Sequence, residues 1–251
     1  LMQRFGESEA KAMMRFTYGC ADETFALIDR YAIDCQPTRN GWIQGSYSKA
    51  STAYLQQRAQ QINAYGGDVA FLEPDAVQAA TGSVFWPSGL IEKRAGAVQP
   101  LAYVRGLARA LAALGAGVYE NSPVKSIRAN GDGYQLEANG HLISTRKVVI
   151  ATDAYTDQLW PAVAQSYVNV ASAQIATDPL PAAVLADLMP RRAGVSETRK
   201  ITYYCRIDPE GRFVIGGRGR SSDGIDPATR SQLYQAACER FPQLQGVAFP
   251  H

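Results

Sequence analysis

The chain has 251 residues, 46% of them hydrophobic and 19% charged, with a formal net charge of +2. These are the proportions of an ordinary soluble globular protein. No run approaches the ~20 apolar residues of a membrane span. The first residues, with Arg4, Glu7 and Lys11 around no apolar core, do not read as a secretory leader, and interspersed charges leave no basic stripe for nucleic acid. The four cysteines form no Cys-x-x-Cys pair, and the two histidines are His141 and the terminal His251. That argues against a zinc site or any other metal centre and against Ser-His-Asp or Cys-His catalysis. The cysteines read as reduced thiols of a cytoplasmic protein, and His141, after an Asn-Gly turn, reads as a solvated hairpin residue.

In chain order, residues 8–30 read as helix, with apolar faces from Met13, Met14, Phe16, Phe25, Leu27 and Ile28 and a break near Gly19. Loop and strand follow, with a turn at Asn40-Gly41. Residues 51–65 predict a helix that Ser51 caps and Gly66-Gly67 stop. A short helix starts at Pro74, since proline suits the first helical turn. The stretch TGSVFWPSGLIEKRAGAVQP has neither helical nor strand period and reads mostly as loop.

The middle is the most regular. Leu101, Val104, Leu107, Leu111 and Leu114 recur at helical spacing, and Gly115 stands where a left-handed cap belongs. Turns at Asn130-Gly131 and Asn139-Gly140 between strand-like runs predict a three-stranded antiparallel meander. The next run, KVVIAT, is continuously apolar and β-branched, as in a strand buried on both faces of a parallel sheet. Beyond it, SYVNVASAQIAT alternates loosely, and KITYYCRIDPEGRFVIGGRGR predicts a hairpin turning at Pro209-Glu210-Gly211. A last helix starts at Asp226-Pro227, a cap and first-turn pair, and a new strand begins near the end.

Three features carry chemistry. Small residues after KVVI, namely Ala151 and Thr152 and then Asp153, let a ligand approach backbone closely where open α/β sheets bind nucleotides; the alternative is a tight strand-to-loop closure. Alternation through ITYYCRI sends Ile201, Tyr203, Cys205 and Ile207 to one face and Thr202, Tyr204 and Arg206 to the other. Tyr204 as donor and Arg206 as a bidentate fork then suit a carboxylate; the alternative is a surface Arg whose stem packs on aromatic rings. Trp42, Trp86 and Trp160 read as core or cavity lining.

The runs QPLAYVRGLARALAALGAGVYENSPVKSI and KVVIATDAYTDQLWP, with ETRKITYYCRIDPEGRFVIGGRGR downstream, resemble the D-amino-acid-oxidase-like superfamily of FAD-dependent oxidoreductases. Within it they are most similar to the γ-glutamylputrescine oxidoreductase branch. The resemblance implies an α/β fold: a Rossmann-like FAD-binding core with a meander, interleaved with an antiparallel substrate-domain sheet. It implies one domain over 1–251, with 96–160 on the FAD side and 1–95 and 161–251 mainly on the substrate side. Pro123 and Val124 would meet the adenosine end of FAD through main-chain groups, and Ala151, Thr152 and Asp153 its diphosphate and ribose. Asp153 departs from the family's Asn or Gly, and a carboxylate beside a diphosphate is repelled unless it meets a ribose hydroxyl. Tyr204, Arg206 and, less directly, Tyr203 would contact the substrate.

The implied reaction is oxidation of a small amine or amino acid by hydride transfer to flavin, giving an imine, then a carbonyl product and hydrogen peroxide. No side chain need act as a strong base, because the cofactor carries the hard chemistry. The family's opening Gly-x-Gly-x-x-Gly turn, which admits the diphosphate to a helix N-terminus, is not found; GGRGRSSDG follows a hairpin strand and precedes no suitable helix. With Leu1 in first place, this predicts the interior of a longer enzyme, its KVVIAT strand lacking a parallel neighbour and the chain prone to poor solubility or edge pairing. Two alternatives stand: a non-catalytic fragment or binding domain that holds no FAD, and a glycine- or sarcosine-oxidase-like member of the superfamily.

Overall fold

The computed structural model describes residues 1–220 and 224–251. The first half runs α1 (Met2–Phe5), α2 (Glu7–Arg30), β1 (Trp42–Gly45), α3 (Lys49–Ala64), β2 (Val69–Leu72), α4 (Pro74–Thr81), β3 (Gly89–Glu92) and α5 (Pro100–Ala113). The meander follows as β4 (Val124–Asn130), β5 (Gly133–Ala138) and β6 (His141–Thr145), then α6 (Pro161–Ala164) and β7 (Ser172–Ala176). Last come α7 (Ala182–Asp187), β8 (Gly194–Glu197), β9 (Tyr204–Ile207), β10 (Phe213–Arg218) and α8 (Pro227–Arg240). The chain divides into two compact units, Leu1–Arg109 with Ala171–His251, and Ala110–Val170.

The larger unit is built on a seven-stranded sheet of order β2-β3-β1-β8-β9-β10-β7. Its pairs are antiparallel except β1 with β8. Strand alternation explains its two faces. Ile43, Ile91, Val195, Cys205, Ile207, Phe213, Ile215 and Ile175 enter one buried cluster with Leu233, Ala236, Ala237 and Phe241, so α8 closes that face. On the other face Leu90 packs with Leu55, Ala59 and Ile62 of α3. A third cluster joins Phe25 and Ile28 of α2 to Ile33, Cys35, Ala102, Tyr103 and Leu107. Gly106 is required there, because a Cβ would overlap the Ile33 side chain.

The smaller unit holds the sheet β4-β5-β6, with Asn139 (φ 50°) and Gly140 (φ 78°) turning one hairpin in the left-handed region that Asn and Gly tolerate. No helix among the described residues is long and apolar enough to cross a membrane. The mixed α/β architecture, the meander, the Pro209–Gly211 hairpin, and the starts of α4 and α8 agree with the sequence expectations.

Five local expectations are corrected. KVVIAT is no buried strand: residues 147–152 join no β-ladder among the described residues, and Val149 is 87% exposed. A β-branched run forms a strand only against a neighbour that takes its N–H and C=O groups, and none is offered here. Helix α2 runs unbroken through Gly19, because a single helical glycine costs only about 1 kcal/mol relative to Ala. The cap of α3 is Ser48 rather than Ser51; Ser51 is the third helical residue, and both hydroxyls close a reciprocal capping box. The stretch after Thr81 contains β3, whose Gly89, Leu90 and Ile91 are all buried, so burial on both faces removed the alternation that marks a strand. The end of the chain forms no strand element, although His251 and Ala176 exchange both backbone hydrogen bonds. Of the glycine-rich GGRGRSSDG stretch, residues 221–223 lie outside the described residues.

Candidate functional site

Cross-strand register lines up one row of residues across the sheet. Leu90 faces Gln44, Gln44 faces Ser196, Ser196 faces Tyr204, Tyr204 faces Gly216, and Gly216 faces Gln174. The next row over is Ile91, Ile43, Val195, Cys205, Ile215 and Ile175, all in the core beneath α8. The polar row is therefore on the opposite face. Its α3 end is covered, with Arg58 donating to the Gln44 side chain at 3.0 Å.

At the other end Tyr204 lies half-buried, its hydroxyl 2.6 Å from Ser172 Oγ and 3.4 Å from the donating Gln174 Nε2. Its ring covers Gly216, where any Cβ would collide with it. Sequence alternation identifies Tyr204 but not Ser172 and Gln174, which its hydroxyl meets; their own spacing of two along β7 is the signal that places them on one face. A tyrosyl hydroxyl oriented by such neighbours both donates and accepts, which suits a carboxylate or an amine.

Arg206 shares that face but not that end. It lines a cleft of about 480 Å³ with Asp34, Gln36, Asp208, Glu210 and Arg212, a wall that does not include Tyr204. The fork thus stands among three protein carboxylates, and Arg212 of the same cleft is already paired with Asp208 at 3.1 Å and Glu210 at 3.2 Å. Tyr203 falls on the opposite face from Tyr204. A Cβ on Gly217 would meet Tyr203 and the α8 residue Leu233, and the Tyr203 hydroxyl accepts from Gln232 Nε2 at 2.8 Å. The structure thus separates the three predicted substrate residues into three surroundings.

Sequence reading missed the strongest electrostatic feature. Glu197 and Arg240, 0% and 1% exposed at their side chains, form a buried ion pair. Arg240 donates from Nε at 3.2 Å and from Nη2 at 2.9 Å, and Trp86 Nε1 donates to the same carboxylate at 3.4 Å. Arg240 is also stacked between Phe85, 4.5 Å from the ring centroid, and Tyr203, at 4.6 Å. Nothing local announces such a pair, because its members are 43 residues apart and each looks like a surface charge. Beside it, burial pushes the Cys205 thiol up to about 12, against a smaller opposing pull from Arg240, so the sulfur stays protonated and unreactive. All four cysteines are free thiols.

In the smaller unit Ala151, Thr152, Asp153 and Pro123 are exposed and Val124 is half-buried. Asp153 has φ 45°, the Thr152 hydroxyl is spent on Thr156 at 2.6 Å, and the Asp153 carbonyl accepts from Tyr167 OH at 3.0 Å. A dinucleotide needs a cradle of free N–H groups at a helix start for its diphosphate. Ala151, Thr152 and Asp153 provide no such cradle, and Asp153 adds a negative charge, so these three do not by themselves hold a diphosphate. Pro123 and Val124, expected at the adenosine end, leave main-chain groups at a half-buried to exposed position. Trp86 is core, whereas Trp160 is exposed.

The model of the family described as "FAD dependent oxidoreductase" (DAO) matches residues 2–250. "Probable oxidoreductase OrdL" of Rhizobium meliloti (strain 1021) is 24% identical over 243 residues, covering 96% of this chain and 55% of that protein. "Gamma-glutamylputrescine oxidoreductase" of Escherichia coli (strain K12) is 26% identical over 226 residues, covering 88% of this chain and 52% of that protein. The chain spans about half the length of the curated relatives it matches. Among solved structures, glycine oxidase from Bacillus cereus ATCC 14579 superposes with a TM-score of 0.72 at 17% identity, over 97% of this chain and 66% of that one.

Proposed function

Because the chain belongs to the FAD-dependent oxidoreductase (DAO) family, we propose that it forms the substrate-side sheet of an enzyme that oxidises a small amine or amino acid. A γ-glutamylputrescine-like substrate is the finer reading, supported by one relative's name at 26% identity. Residues 96–160 would serve the cofactor side, and 1–95 with 161–251 mainly the substrate side, in a cytoplasmic enzyme. The observation that carries the reading is the Tyr204 hydroxyl, held by Ser172 and Gln174 over Gly216 on the face away from the core.

Tyr204 would donate to the substrate's carboxylate or accept from its amine, whereas Arg206 and Tyr203 line separate clefts. In the protein that carries this chain, Tyr204→Phe should lower kcat/KM for the preferred amine by about ten- to a hundredfold, the worth of one hydrogen bond to a charged group. Peroxide release across an amine panel measures it, and unchanged kinetics would remove Tyr204 from the site. A second reading, a domain that binds no flavin, is favoured by the lack of a diphosphate cradle at Ala151–Asp153. Flavin absorbance retained by the purified chain after gel filtration with FAD would exclude it.

A further inference from the structure

On the face of the sheet that α8 closes there is a second cleft of about 480 Å³, lined by Tyr47, Arg199, Lys200, Ile201, Tyr203 and Gln232. It lies away from the Tyr204 row, since Tyr203 and Tyr204 face the neighbouring glycines Gly217 and Gly216 from opposite sides of the sheet. Arg199 is fixed in place. Its guanidinium sits 4.0 Å from the Tyr47 ring centroid, and Nη2 donates to Tyr47 OH at 2.9 Å.

Among the described residues the one carboxylate in ion-pair range of Arg199 is Glu197, with Oε1 3.8 Å from Nε. That distance is beyond a hydrogen bond, and the same carboxylate already accepts from Arg240 and Trp86. Arg240 also pairs with the exposed Glu239 at 3.1 Å, so two carboxylates serve the two guanidiniums. Arg199 nevertheless has no carboxylate within hydrogen-bond distance among the described residues, and Lys200 on the same wall adds a further cation. The Tyr203 hydroxyl accepts from Gln232 at 2.8 Å, which leaves its own O–H free to donate. The polar ends on this wall are chiefly donors, while the tyrosine rings and Ile201 supply apolar sides.

We propose that this cleft binds the carboxylate end of a small organic anion. Arg199 and Lys200 hold the charge, the Tyr203 hydroxyl donates to it, and the anion's carbon body lies against Tyr47 and Ile201. A preformed guanidinium fork suits the planar carboxylate, and the apolar walls favour an organic anion over inorganic phosphate.

The test is isothermal titration of the 251-residue chain with sodium butanoate, with butanamide and inorganic phosphate run in parallel. Butanoate should bind one saturable site more tightly than either control. Arg199→Gln and Lys200→Gln should each weaken it about tenfold, as expected when a charged hydrogen-bond donor is lost, while the surface change Lys93→Gln leaves it unchanged. The site is overturned if butanoate does not saturate, if phosphate or butanamide binds as tightly, or if neither cleft variant weakens binding. An equal loss in Tyr204→Phe also overturns it, because the anion would then lie in the Tyr204 row. Should Arg199→Gln lose its melting transition, Lys200→Gln decides alone.

Discussion

The Glu197–Arg240 pair shows how a single residue's role depends on what surrounds it. Both side chains are excluded from water, and in that setting each charge needs a close partner; Arg240 also reaches the exposed Glu239 at 3.1 Å. Arg240 also donates to the Ala236 carbonyl at 2.8 Å and lies against Phe85 and Tyr203, so it ties the end of α8 to the sheet. Removing Arg240 leaves Glu197 only Trp86 and the more distant Arg199, and removing Glu197 leaves Arg240 only the exposed Glu239. Glu197→Ala or Arg240→Ala should each cost about 3–5 kcal/mol of unfolding free energy. The double change to apolar residues of similar volume should cost much less than the sum, because no buried charge is then left unmatched. Urea unfolding of the four proteins measures the cycle, and additive losses would show that the two groups act separately. Tyr204 was legible because strand alternation is a local rule, whereas Glu197, Arg240 and Arg199 derive their roles from partners distant in sequence.

Among the elements, α8 was readable at its start. Asp226 accepts from the Thr229 backbone N–H at 3.0 Å, and Pro227 follows in the first turn. The Thr229 hydroxyl and backbone N–H hold the Asp226 carboxyl below its usual range. A carboxylate with a lowered folded-state pKa stabilises above its unfolded value, and that stabilisation is lost as pH falls through the folded one. Asp226→Ala should therefore lower the melting temperature at neutral pH and do so progressively less toward strongly acid pH. Thermal melts across pH check this, and a pH-independent difference would contradict a charged cap. The element that misled was KVVIAT. Its composition suits a strand buried on both faces, but composition does not supply the neighbouring backbone that makes a strand. Strand β3 erred in the other direction: Leu90 and Ile91 are both buried, on opposite faces of the sheet, so no period marked it.

Across the whole molecule, the larger unit carries the layered core and the smaller one a three-stranded meander. Amides of β10 bond to both β9 and β7, while those of residues 147–152 have no ladder partner among the described residues. Hydrogen exchange should then be slowest in Phe213–Gly217 and near the unprotected rate in 148–152, since exchange reports local opening. Strong protection of 148–152 would mean that a partner strand covers them. By itself the amino-acid sequence determined the family resemblance, the meander, the cap of α8 and the face that Tyr204 takes, because each depends on residues close along the chain. Only the tertiary structure decided the polar row, the buried ion pair and the separation of Tyr203, Tyr204 and Arg206. Those features are set by which strands become neighbours, and by how cross-strand register and burial bring distant charges together.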